Sequence, residues 1–73
     1  TYPNPTKDEI NITLDQTTII NQIDIFDQAG RKIETYSISS PTYSLSLKHL
    51  QKGVYTLKIT TDKTTFTQQI ILN

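Results

Sequence analysis

One histidine, His49, and seven carboxylates, Asp8, Glu9, Asp15, Asp24, Asp27, Glu34 and Asp62, are the residues of this 73-residue chain with which acid–base or metal chemistry could be built. Nucleophilic catalysis needs a base within hydrogen-bond reach of an activated oxygen or sulfur. The sequence around His49, LKHLQKG, offers no Ser, Cys or acid at a recognisable catalytic spacing, so His49 reads as a surface loop residue. A zinc site takes three or four N, S or O ligands, and one histidine with no cysteine does not provide them. None of the carboxylates falls in a D-x-[DN]-x-[DN]-G calcium loop. Gly30 and Gly53 are the only glycines, too few for a phosphate cradle, and read as turn and strand-start geometry. The expectation is a chain with no catalytic residues, no bound metal and no cofactor.

Seven Lys and Arg balance seven Asp and Glu, which gives no electrostatic reason to bind nucleic acid or to attach to an anionic membrane surface. No apolar run approaches the 18 or so residues of a spanning helix, so direct membrane insertion is not expected. The absence of Cys removes disulfides and thiolate chemistry, and does not by itself assign a compartment. The tyrosines fall mostly at positions that alternation assigns to a core, which argues against an exposed aromatic platform for sugars.

The elements are strands. Thirteen Thr, eleven Ile and one Val make a third of the chain β-branched, and their restricted χ1 suits a pleated surface. Apolar residues recur at every second position: Ile10, Ile12 and Leu14; Ile23 and Ile25; Tyr43, Leu45 and Leu47; Tyr55, Leu57 and Ile59; and Phe66, Ile70 and Leu72 with Gln68 between. DQAGR predicts a hairpin in which Asp27 caps the turn and Gly30 takes positive φ. On the return strand Ile33 has one parity and Tyr36 and Ile38 the other, which predicts a bulge or burial on both faces. Pro41 breaks the chain, and Leu50 reads as a plug over one end of the core. TDKT closes a last hairpin into a charge-free strand, QQIILN, an unusual edge because exposed edges normally carry charge against unwanted pairing. That edge offers a route to dimerisation.

At the other end, Pro3 and Pro5 hold Tyr2 and Asn4 extended and remove two amide donors, which predicts a stiff segment along the rim of a sheet. Six or seven short strands joined by hairpins predict an all-β fold, a small immunoglobulin-like antiparallel sandwich, forming one domain over residues 1–73. The chain lacks methionine and starts at Thr1, and reads as a piece excised from a larger protein.

Taken in order, YPNP, I-x-I-F-D-x-x-G-R-K-I, L-x-L-x-x-L-x-x-G-V-Y-x-L-K-I and a terminal strand resemble the C-terminal sorting domain of proteins exported by the type IX (Por) secretion system of Gram-negative bacteria. The resemblance covers nearly the whole chain. It implies a non-catalytic address carried at the end of a secreted or cell-surface cargo, which is covalently linked ahead of it and travels through the periplasm and across the outer membrane. The implied partners are the translocon, an outer-membrane shuttle protein, and a surface sortase that usually removes the domain and attaches the cargo to the cell surface. By position, Tyr2, Pro3, Asn4 and Pro5 match the opening motif, Asp27 and Gly30 the central hairpin, Leu50, Gly53, Val54 and Tyr55 the L-x-x-G-V-Y motif, and Gln69, Ile70, Ile71 and Leu72 the terminal strand. Family members often carry lysines in that last strand. Here it lacks them, which implies either recognition through backbone and apolar groups or an atypical parent within the family. The alternative is a fibronectin-like spacer or carbohydrate-binding module of an extracellular enzyme, which would not have to stand last in its parent.

Overall fold

The computed structural model describes residues 9–72, and the YPNP segment lies outside them. Among the described residues six strands follow one another without a helix: β1 (Glu9–Thr13), β2 (Ile20–Phe26), β3 (Lys32–Ser40), β4 (Thr42–Ser46), β5 (Gly53–Thr61) and β6 (Thr65–Leu72). They form two antiparallel sheets, one of four strands in the order β3-β2-β5-β6 and one of two, β1-β4. This is the small β-sandwich expected from the alternation.

The inward residues of the two layers meet in one core. Ile10 and Ile12 of β1 and Leu45 and Leu47 at the β4 end pack against Ile20, Ile23, Ile25, Tyr55, Leu57, Ile59, Ile70 and Leu72 of the larger sheet. Leu50 packs against this cluster as a half-buried plug. Register places Ile23 opposite both Tyr36 and Ile59, and Ile25 opposite Leu57, so the central strand β2 is packed from both sides.

Pro41 decides the change of layer. It has no amide hydrogen to donate to a ladder, so β3 ends at Ser40 and the chain restarts as β4 in the other sheet. The Pro41 carbonyl instead accepts a hydrogen bond from the Leu14 amide at 2.9 Å, which ties β1 to the corner. The bulge anticipated in β3 falls at Ile33, where Glu34 opposes Ile25 but Lys32 opposes Phe26.

Two strand limits differ from the periodicity. β2 begins at Ile20, three residues before the first alternating pair, and Ile20 is fully buried. The irregular register between Ile20 and Gln22 shifts parity there and hides Ile20 from a two-residue pattern. β3 also runs on to Ser40, because partial burial of Ile38 and Ser40 continues the ladder through a serine-rich stretch of low strand propensity.

The turns distal to the DQAGR hairpin are held by carboxylates. Asp15 Oδ1 accepts from the Thr17 amide at 3.0 Å and from the Thr17 and Thr18 hydroxyls at 2.7 and 2.9 Å. The hydroxyl bonds, with the Thr17 amide, lower the Asp15 pKa. Asp62 Oδ1 accepts from the Ile19 amide at 3.0 Å and joins the last hairpin to the start of β2.

The two-stranded layer does not cover the whole of the larger sheet. Between β1 and β6 lies a groove of about 330 Å³ lined by Ile10, Ile12, Leu57, Ile59 and Phe66, with Phe66 partly exposed at its lip. Gln68, Gln69 and Ile71 of β6 each have an interaction partner, so the charge-free terminal strand is not a bare edge.

Asp24 lies at an outward position of β2. It points away from the core as expected, yet it is only 3% exposed. Its Oδ1 accepts from Gln22 Nε2 at 2.9 Å and Thr35 Oγ1 at 2.8 Å, its Oδ2 from Gln22 Nε2 at 3.0 Å, and Lys32 Nζ stands 3.8 Å away. Substituting Asp24 with Ala orphans two donors beside a lysine, and is expected to cost about 2–3 kcal/mol because hydrogen bonds to a charged group exceed neutral ones. Urea unfolding measures it, and Asp24→Asn, which keeps an acceptor for Thr35, is expected to recover part of the loss.

Candidate recognition site

Three of the four motif segments come together at one end of the four-stranded sheet. The β2–β3 hairpin is built on Asp27. Its amide donates to the Arg31 carbonyl at 2.9 Å and its carbonyl accepts from the Gly30 amide at 3.0 Å. Its Oδ1 accepts from the Ala29 and Arg31 amides at 2.9 and 3.0 Å, and its Oδ2 from Arg31 Nε at 2.9 Å. Gly30 has φ of 86°, left-handed backbone that side chains with a Cβ adopt at a cost.

Donation from the Arg31 amide, helped by its side chain and by Ala29, holds the Asp27 carboxyl below its ordinary value of 3.8. A depressed carboxylate contributes stability fully above its unfolded pKa and loses it as the pH falls toward the folded value. The melting temperature of Asp27→Asn is therefore expected to lie below the parent's at neutral pH. The gap should close as the pH drops through and below 3.8.

Facing the hairpin is the beginning of β5. Gly53 has φ of 154°, and a Cβ there would meet only Tyr55 Cε1 at 3.8 Å, so backbone conformation rather than crowding calls for glycine. Leu50 is fixed by its amide donating to the Leu47 carbonyl at 3.1 Å, and the Tyr55 hydroxyl donates to the Gln51 carbonyl at 2.7 Å. The loop from β4 is thus fastened to the first turn of β5. Asp27, Arg31, Lys52, Gly53, Val54 and Tyr55 line a shallow recess of about 260 Å³ between hairpin and strand.

The terminal strand completes the corner. Gly53 opposes Leu72, Val54 opposes Ile71, Tyr55 opposes Ile70 and Thr56 opposes Gln69. Ile70 and Leu72 are buried in the core, whereas Ile71 is 41% exposed on the opposite face. Asp27, Gly30, Leu50, Gly53, Val54, Tyr55 and Gln69 to Leu72 therefore share one end of the sandwich, although up to 45 positions separate them in sequence. Tyr2, Pro3, Asn4 and Pro5 lie outside the described residues.

The sequence missed one polar cluster beside this corner. Glu34 of β3 accepts from the Tyr36 hydroxyl at 2.6 Å through Oε1 and meets His49 Nε2 at 2.5 Å through Oε2. The Tyr36 and Tyr43 rings lie 6.4 Å apart. Donation to Glu34, with burial and the Glu34 charge, pushes the Tyr36 hydroxyl up to about 12. His49 therefore has an acidic partner, fifteen residues away, that no local motif reveals. The contact fastens the β4–β5 loop to β3. Both carboxylate oxygens are occupied, and among the described residues no group of three or more His, Cys, Asp and Glu could hold a metal ion.

The corner is thus a surface of fixed backbone with charged and apolar side chains side by side. The secretion system C-terminal sorting domain family matches residues 1–73, the entire chain. The chain belongs to this family. Its members act as type IX secretion signals, sorting rather than catalytic domains, and this sorting domain directs secretion to the cell surface or exterior. Beta-agarase A of Zobellia galactanivorans is 31% identical over 58 residues, which are 80% of this chain and 11% of the agarase. The sorting domain thus spans about a tenth of that relative's length. No solved structure matches the sorting domain.

Proposed function

We propose that residues 1–73 are the C-terminal address of a larger exported protein, and that the translocon and its outer-membrane shuttle read the corner formed by the DQAGR hairpin, the L-x-x-G-V-Y segment and the terminal strand. A surface sortase then removes the address and joins the cargo to the cell surface. The domain performs no chemistry of its own. The observation that carries this reading is the meeting of three sequence-distant motif segments at one end of the sandwich, in a family whose shared property is sorting. The agarase relative supports a carbohydrate-active enzyme as one kind of cargo.

A reporter with an N-terminal export signal, fused ahead of residues 1–73 in a type IX-competent host, is expected outside the cell. The same reporter without the domain should remain in the periplasm. Equal extracellular yield from the two overturns the reading. A mass shift of the exported reporter tests the sortase step separately.

A further inference from the structure

We propose that the outer face of the four-stranded sheet is a docking surface for a protein with an apolar centre rimmed by carboxylates, a component of the secretion apparatus. The inference rests on the sorting function and adds a face to it. By alternation Phe26, Val54 and Ile71 point away from the core, and so does Ile33 at the bulge. Val54 opposes Ile71, and Phe26 opposes both Thr56 and Lys32, which makes Val54 a diagonal neighbour of Phe26, within reach of an aromatic ring, while Ile33 follows Lys32 at the bulge. The four side chains form a continuous row across all four strands, and no described strand covers it. Two of the three large apolar residues exposed on the described chain, Ile33 at 39% and Ile71 at 41%, lie at its two ends.

Charge selects the partner. Among the described residues Asp24 is the one acid on this face, and it is buried beneath its own hydrogen bonds. Asp27 at the corner is paired with Arg31. Lys32 Nζ stands 3.8 Å from Asp24, so the charge this face presents outward is Lys58, which makes no ion pair among the described residues. Threonines 35, 56, 60, 65 and 67 fill the remainder. An apolar centre with a polar, hydrogen-bonding rim is the composition of a protein–protein interface.

The test is export of the reporter fused to residues 1–73 in a type IX host, with Ile33→Ser, Lys58→Gln, and a control on the other sheet, Asn11→Ser. Ile33→Ser and Lys58→Gln are each expected to keep a cooperative melt and to lower the extracellular fraction roughly fivefold, less than truncating a central interface residue would, because Ile33 ends the row and Lys58 stands at its rim. Asn11→Ser should export as the parent does. Parent-level export of both face variants, or an equal fall in Asn11→Ser, overturns the docking face and leaves the sorting function standing. Should Ile33→Ser fail to fold, Lys58→Gln alone decides. If the reporter lacking the domain is exported normally, sorting itself fails and the docking face with it. Cosedimentation of the purified domain with phosphatidylglycerol vesicles, abolished by Lys58→Gln, would replace the protein partner with a lipid surface. A concentration-dependent dimer abolished by Ile33→Ser would replace it with a second copy.

Discussion

Ile23→Ala should remove a large share of the domain's stability at room temperature. Ile23 is fully buried at the middle of β2, between Tyr36 of β3 and Ile59 of β5, with the β1–β4 layer against its face. No neighbour can collapse into the space without breaking a ladder, so the cost belongs near the upper end of the roughly 2–5 kcal/mol found for truncating a large aliphatic to alanine. A chain of this length has a total stability of about 4–11 kcal/mol at typical values per residue. Leu57→Ala is expected to cost less, although Leu57 is equally buried. Leu57 borders the open groove beside β1, where side chains have room to shift. Urea midpoints for the two variants measure the difference. Equal costs would show that the groove is not the soft side of the core.

Deleting Gln69–Asn73 is expected to abolish export and, with it, the fold. The deletion removes Ile70 and Leu72, both core residues, and unpairs β5 from Gly53 to Thr56. At about 1.5–3 kcal/mol for each buried aliphatic, the loss is comparable with the whole stability. The truncated reporter should stay in the periplasm and be degraded there, as measured by fractionation and protease sensitivity. An unfolded truncation that still reached the medium would mean that the apparatus reads a linear tail and not a folded corner. Ile71→Ser separates the two roles of this strand. Its side chain faces outward, so the melt should hold while export falls.

The hairpin at Asp27 and Gly30, the plug at Leu50 and the strand from Val54 to Thr61 were legible because each rests on local chemistry: a capping carboxylate, a glycine free of the Cβ constraint, a strict two-residue alternation. Ile20 was not, because a register shift reverses parity between it and Gln22 and a periodic pattern carries no sign of a bulge. The Glu34–His49 contact was not, because a partner fifteen residues away is set by how a loop folds over an edge strand. The burial of Asp24 was not legible either, since its cover comes from Gln22, Thr35 and Lys32 on the same face and on the neighbouring strand.

By itself the sequence determined the class of the molecule. Its β-branched, alternating, cysteine-free composition can satisfy its backbone and bury its apolar half only as layered antiparallel strands, and its ordered motifs point to sorting rather than catalysis. Only the tertiary structure decided that three motif segments far apart in the chain share one end of one sheet, and that Ile33, Phe26, Val54 and Ile71 form a row across its outer face. The reason is geometric: alternation assigns each residue to a side of its own strand, but neighbours across strands are fixed by strand order and register. Those depend on a bulge at Ile33, a layer change at Pro41 and pairings between residues tens of positions apart.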